Sequence, residues 1–231
     1  MRSYWDEAAR SNALWYVDTS LSFEHPDVQR FIETGRQIVA DALDHAPVAP
    51  AESHLAIEIG SGLGRVCLAL ADRFDRVIGV DVSPEMITRA NELAADPRVS
   101  YQLGSGSSLQ PIPDESADLV LSFAVFQHIP RVSIIAGYIA EAARVLRPGG
   151  VLVFQWNNTP GAYRWIARRV LLSFLQSTGL RAERHGRYAP EFLGSRVPLE
   201  RIRSALAEGG LELQGAAGLN TLYAWAWAEK R

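Results

Sequence analysis

Ala56-Ile57-Glu58-Ile59-Gly60-Ser61-Gly62-Leu63-Gly64 is the stretch whose reading decides the fold. The apolar run of Leu55, Ile57 and Ile59 predicts a buried strand. It breaks into glycines before Val66, Leu68, Ala69 and Leu70 resume at helical spacing. Strand, glycine turn and helix in that order let a ligand lie against bare backbone, over the positive end of a helix. Gly60, Gly62 and Gly64 carry no Cβ, so the turn can take positive φ and a ligand can come close. A second apolar run, Val77-Ile78-Gly79-Val80, ends in Asp81, about twenty residues past the turn. A carboxylate there can accept hydrogen bonds from both hydroxyls of a ribose. The stretch describes a site for a nucleoside-containing ligand.

The glycine spacing narrows the ligand. Dinucleotide folds use G-x-G-x-x-G, whose last glycine allows tight helix–strand packing. Here the spacing is G-x-G-x-G, with Glu58 two residues ahead of it. These residues resemble motif I of the class I S-adenosylmethionine-dependent methyltransferases. The resemblance implies that Asp81 holds the ribose. Glu58 would be badly placed beside a pyrophosphate but is tolerable beside the methionine ammonium of this cofactor. The implied fold is α/β, a seven-stranded, mostly parallel, doubly wound sheet with a reversed last strand. The implied cofactor is S-adenosyl-L-methionine, with S-adenosyl-L-homocysteine as product.

The rest of the chain is read outward from there. Strand and helix alternate from Ser53: a helix to about Phe74, a helix opening at Pro84 with Ser83 as its cap, and strands at 98–103, 117–123 and 151–156. Arg131 to Leu146 predicts a helix stopped by Pro148-Gly149-Gly150. Such alternation implies a parallel sheet with helices on both faces. A helix over 198–207 and two strand candidates at 211–214 and 222–228 close the chain as a hairpin, which fits the reversed strand. Residues 1–50 read as an N-terminal helical cap or lid and 51–231 as the main domain, with 157–197 as a substrate-side insertion. The opening segment, with Tyr4, Trp5, Trp15 and Tyr16, predicts a short helix with an aromatic face. It is either plain packing or a lid over the cofactor. A helix follows over 27–43.

Further residues fit the family pattern. Gly104-Ser105-Gly106-Ser107-Ser108-Leu109 follows strand three, where the family usually has an acid facing the adenine amino group; here Ser105 takes that place. The departure leaves adenine to backbone near Gly106 and Ser107 and to the apolar faces of Val82 and Met86. Ser61 belongs to the glycine turn, and Trp5 to the lid over the cofactor. Ser122-Phe123-Ala124, ending strand four, would offer carbonyls to the ammonium. The segments 114–120 and 144–150 resemble the entries to strands four and five. Arg65 is either a surface arginine or a partner of the cofactor carboxylate. His128, just past strand four, sits where open α/β sheets bind ligands. It is either a structural or cofactor-positioning residue or a general base. Trp15, Tyr16 and Trp156 could wall a substrate site. Arg164, in an arginine-rich insertion, could grip an acid bidentately.

Composition sets the frame. The chain has 231 residues, 48% hydrophobic and 21% charged, which suits one decorated globular domain. A net charge of −3 gives no general attraction to nucleic acid or anionic membrane. No apolar run is long enough for a bilayer and no leader is evident, so a cytoplasmic protein is expected. The single Cys67 is expected in the core. No clustered set has metal-ligand spacing. The expected partner is a small molecule, acidic or aromatic, methylated on oxygen, nitrogen or carbon. A nucleotide-dependent oxidoreductase and a non-catalytic S-adenosylmethionine-binding module stand as alternatives; a macromolecular methyltransferase fits less well.

Overall fold

The computed structural model describes residues 1–44, 46, 49–160, 170, 171, 174 and 194–231. In chain order the described elements are α1 (Arg2–Val17), α2 (Val28–Leu43), β1 (Leu55–Ile59), α3 (Arg65–Ala71), β2 (Arg76–Asp81), α4 (Pro84–Leu93), β3 (Val99–Leu103) and β4 (Ala117–Ser122). A 3-10 turn (Phe126–His128), α5 (Val132–Val145), β5 (Leu146–Trp156), α6 (Leu199–Glu208), β6 (Leu211–Ala217) and β7 (Ala224–Lys230) complete them.

Seven strands form one sheet in the order β3-β2-β1-β4-β5-β7-β6. β1 pairs in parallel with β2 and with β4, while β7 runs antiparallel to both β5 and β6. The chain leaves β1 toward β2 on one side and reaches β4 on the other, so the carboxyl end of β1 is the place where strand order reverses. Both faces are covered. Ile57, Val120, Leu152, Phe154 and Trp156 pack with α5 and α6, whereas Ala56, Leu119, Leu121, Val151 and Val153 pack with α2 and α3. This is the period-two alternation of strands buried on both sides. A third cluster joins Ala9 and Ala13 of α1, Phe31 of α2, Leu63 of the glycine turn and Met86 of α4. The opening helix is thereby packed beside the ends of β1 and β2.

Local chemistry sets several boundaries. Ser83 caps α4 by accepting from Met86 N at 3.1 Å, with Pro84 in the first turn. Asp27 caps α2 by accepting from Arg30 N. The carboxylate of Asp118, buried at the start of β4, accepts from the backbone N–H of His54 and Leu55, both at 2.8 Å. That contact fixes where β1 begins. Asn12 breaks the helical geometry inside α1 (φ −164°, ψ 85°). Its Oδ1 accepts from Trp15 N at 3.1 Å, which restarts the helix as a cap would.

Some boundaries differ from the sequence reading. β5 begins at Leu146 instead of 151, because Leu146 already pairs with Ala117. The Pro-Gly-Gly run then falls at the register shift between Ala117 and Leu119 as a bulge within the strand. α3 stops at Ala71, short of Phe74, and the hairpin strands run on to Ala217 and Lys230.

Candidate active site

The glycine turn is hooked to the end of β2. Gly60 N and Ser61 N both donate to Val80 O, at 2.7 and 3.2 Å. Gly62 has φ +51°, and a Cβ placed on it would meet Val17 of α1 at 3.1 Å, so bare backbone faces the opening helix. Gly64 has φ +82° as the left-handed cap of α3, and a Cβ there would strike the Tyr101 hydroxyl. Gly64 is therefore a packing glycine, and it does not line the cleft. Asp81 accepts from Gly62 N and Ser83 N, both at 2.9 Å, which locks its carboxylate to the turn. Burial raises its pKa against the pull of those N–H donors.

One cleft opens at this place. Glu58, Gly60, Ser61, Gly62 and Asp81 form its polar floor. Val82, Met86, Phe123 and Val125 form apolar walls, and His128, Ile129 and Tyr138 close one end. Met1, Trp5, Tyr16 and Val17 bound it from the opening helix. The residues predicted from sequence are thus largely brought together. Ser122 is the exception on β4: it is buried, with its hydroxyl donated to Ile59 O at 3.2 Å, and it stitches β4 to β1. Gly106 and Ser107 stand outside the lining, although a Cβ on Gly106 would touch Val82 at 3.5 Å. The Ser105 hydroxyl turns to its own loop, accepting from Ser107 N and Ser108 N at 3.3 and 3.1 Å.

The opening helix is tied across the cleft by contacts that sequence reasoning missed. Asp6 accepts from the Ser83 hydroxyl at 2.5 Å and from Glu85 N at 3.2 Å. The hydrogen bond from Ser83 is the main cause that lowers the pKa of Asp6. Arg2 donates to Val82 O at 3.0 Å and Gly104 O at 3.1 Å. Trp5 meets the His128 ring edge-on, with centroids 5.5 Å apart. α1 therefore reaches from the ends of β2 and β3 to the turn after β4. Isolated polar residues such as Asp6 carry no local pattern that would announce such partners.

Two expectations are corrected here. Arg65 is not a surface arginine, although it borders the cleft. It is buried, pairs with Asp18 at 2.7 Å, donates to Thr34 Oγ1 at 2.6 Å and lies over the Phe31 ring. Trp156 is fully buried in the core under α5 and α6, with Nε1 donating to Val197 O at 3.0 Å, so it cannot wall a substrate site. Trp15 is likewise buried, edge-on to Tyr16 and Phe23, and only Tyr16 of that pair reaches the cleft. Arg164 lies outside the described residues.

Glu58 is the unusual floor residue. It is 3% exposed and accepts from the Cys67 thiol at 2.9 Å. Burial pushes its pKa up to about 8, against the opposing Cys67 hydrogen bond and the Arg65 charge. Near neutral pH it holds a proton that a nearby cation would displace. Burial also raises the Cys67 thiol well above its ordinary range, so it is an inert core group. His128 ends the 3-10 turn, with its Nε2 3.2 Å from Gln127 Nε2.

Comparison with known proteins places this arrangement. Residues 57–154 match the family model described as a methyltransferase domain. An uncharacterized methyltransferase of Mycobacteroides abscessus is 30% identical over 152 residues, which is 63% of this chain and 57% of its own length. The chain spans about half the length of the curated relatives it matches, 57% in that case and 45% in a Mycobacterium bovis relative. A Haloferax volcanii methyltransferase, solved in complex with the Trm112 activator, superposes with TM-score 0.64 over 97% of each chain at 19% identity. Magnesium protoporphyrin IX methyltransferase of Synechocystis, solved with S-adenosylhomocysteine, gives TM-score 0.55 over 88% of this chain and 83% of its own, at 17% identity. At such identities the two structures speak for the fold. The matched residues are those that build β1 to β5 and the cleft at their ends, and over them the chain is similar to S-adenosylmethionine-dependent methyltransferases.

Proposed function

We propose that this chain transfers the methyl group of S-adenosylmethionine to a small acceptor molecule, apolar or aromatic in part and bearing an acidic group. The observation that supports the reading is the donor set of the cleft. Bare glycine backbone runs between two carboxylates, Glu58 and Asp81, and the Ser61 hydroxyl is buried there without a hydrogen-bond partner. That set fits a ligand carrying a ribose at one end and an ammonium at the other. Asp81 would accept from the ribose hydroxyls. Glu58 would lose its proton and face the ammonium, and Val82 and Met86 would flank the adenine. When bound, the cofactor supplies a methyl group already activated by a positive sulfur.

The protein's share of the chemistry is alignment, exclusion of water and proton handling. Alignment of a nucleophile can be worth roughly 7–11 kcal/mol at best. Residues 1–50 act in this reading as a cap on the 51–231 domain. Trp5, Tyr16 and Val17 shield the reacting centre from solvent. His128 takes the proton from an acceptor hydroxyl or amine as it is methylated. Arginines of the insertion meet the acidic group. Neither the net charge nor any element among the described residues favours nucleic acid or membrane as a partner, and no described helix is long and apolar enough to cross a bilayer.

A labelled-methyl assay tests the proposal. With S-adenosylmethionine carrying a labelled methyl, hydroxybenzoic and aminobenzoic acids should be labelled faster than their methyl esters. Equal labelling of acids and esters would remove the acidic-acceptor part. Cofactor binding with no labelling of any small molecule in a broad panel would instead point to a binding module.

A further inference from the structure

Buried polar atoms in folded proteins nearly always have hydrogen-bond partners, so a group of them without any calls for a ligand. Among the described residues, Gln127 Oε1, Gln155 Oε1, Asn157 Nδ2 and Arg196 Nε are buried and unpartnered. All four belong to segments that meet at the carboxyl edge of the sheet. Gln127 follows β4. Gln155 and Asn157 lie at the end of β5 and just past it. Arg196 belongs to a strap held to both. Gly194 sits so close to Gln127 that a Cβ there would strike the Gln127 carbonyl. Ser195 Oγ donates to Ile129 O at 2.6 Å. Val197 N donates to Asn157 O at 2.9 Å, and Asn158 Nδ2 donates to Val197 O at 3.0 Å.

The backbone of Arg196 is thereby fixed on both sides, between the ends of β4 and β5 and beside His128. This is the edge where open α/β sheets take their ligands. Other polar positions of these side chains are already used. Gln127 Nε2 lies 3.2 Å from His128 Nε2, and Asn157 Oδ1 accepts from Thr159 N and Oγ1 at 3.1 and 2.8 Å. Arg196 has no ion pair with a described carboxylate, unlike the buried Arg65. A guanidinium only donates, so what meets it must accept, and an anion answers its charge. The neighbouring amides can give or take hydrogen bonds from a hydroxyl or amide carried next to the acid.

We propose that Arg196, with the side-chain amide nitrogen of Asn157, binds the acidic end of the acceptor, a carboxylate or phosphate on a small molecule, while Gln127 Oε1 accepts from a hydroxyl or amide carried beside it. This deepens the methyl-transfer reading and rests on it. Arg196 is the specificity-determining residue, because a neutral analogue leaves its half-buried guanidinium, with Nε out of solvent, without a counter-charge.

Benzoate, phenyl phosphate and methyl benzoate serve as probes, titrated by calorimetry with and without saturating S-adenosylhomocysteine. Wild type should bind at least one of the two acids about tenfold or more tighter than the ester, since hydrogen bonds to a charged group are worth that much. The acid that binds tighter separates carboxylate from phosphate. Arg196→Met should erase the preference while S-adenosylhomocysteine affinity stays within about twofold, because Arg196 lies outside the cofactor cleft. If the Met variant fails to fold, Arg196→Gln carries the same expectation. Equal binding of acids and ester by wild type, or a preference that survives loss of the guanidinium, overturns the assignment. Failure of S-adenosylhomocysteine to bind at all would count against the methyl-transfer reading, and the ligand-free titrations would still decide on Arg196.

Discussion

His128→Ala should lower methyl-transfer turnover by roughly 10²–10⁴-fold and leave S-adenosylhomocysteine affinity nearly unchanged. The expectation follows from placement. The 3-10 turn after β4 holds the imidazole at the end of the cleft, its edge against Trp5 and its Nε2 near the Gln127 amide. If His128 is the proposed base, a ring held on both sides is oriented for proton transfer, and removing it leaves the acceptor proton without a base. The loss should be largest with acceptors of high pKa and should shrink with acceptors already ionised. Steady-state kinetics beside calorimetry separate the two roles of this histidine. A large loss of cofactor affinity at normal turnover would show that it positions the cofactor, through Trp5 and the cap.

Arg65→Met should cost about 3–5 kcal/mol of stability, the range for stripping one partner from a buried pair. Arg65 and Asp18 are 6% and 12% exposed at the side chain and 2.7 Å apart. Asp18 joins the end of α1, Arg65 begins α3, and the Thr34 hydroxyl of α2 accepts from Arg65 Nη1 at 2.6 Å and lies 3.3 Å from Asp18 Oδ2 as a donor. Burial alone would raise the Asp18 pKa, yet the Ser20 hydrogen bond and the Arg65 charge bring it below the ordinary value. The sign follows. A carboxylate with a depressed folded pKa stabilises the fold above its unfolded value and loses that contribution as pH falls through the folded one. The pair should therefore weaken only in acid, below about pH 4. At neutral pH the variant should melt some 6–20 °C lower, taking about 2–4 °C per kcal/mol for a chain of this size. Adding Asp18→Asn should recover part of the loss, since it removes the stranded charge. A single variant within about 1 kcal/mol of wild type would show that the pair is spectator packing.

Much of the fold was legible because it is written in local pattern. The strand–glycine–helix stretch, Asp81 at the end of β2, the Ser83–Pro84 cap and the closing hairpin each depend on neighbours in sequence. What was not legible depends on distant partners. Nothing near Arg65 announces Asp18, which is 47 positions away, and nothing near Asp6 announces Ser83. Trp156 misled for a different reason. An aromatic residue ending a strand looks like a wall of the site, yet it shares the period-two face of Leu152 and Phe154, which points into the core. Ser105 could be read from sequence only as a hydroxyl after β3, and its use as an acceptor for its own loop needed coordinates. The polar group around Arg196 was invisible for the same reason: its members come from segments some thirty to seventy positions apart, stitched only in the folded chain.

The central claim is that the cleft over Gly60 to Gly62 and Asp81 is built for S-adenosylmethionine and its product. Calorimetric titration of S-adenosylhomocysteine, with NAD as the rival ligand, tests it most directly. The account predicts one saturable site for S-adenosylhomocysteine, no binding of NAD, and a loss of about 1–3 kcal/mol for Asp81→Ala, as hydrogen bonds to a charged acceptor are removed. No binding of S-adenosylhomocysteine by the wild-type protein, or tight binding of NAD in its place, would contradict it.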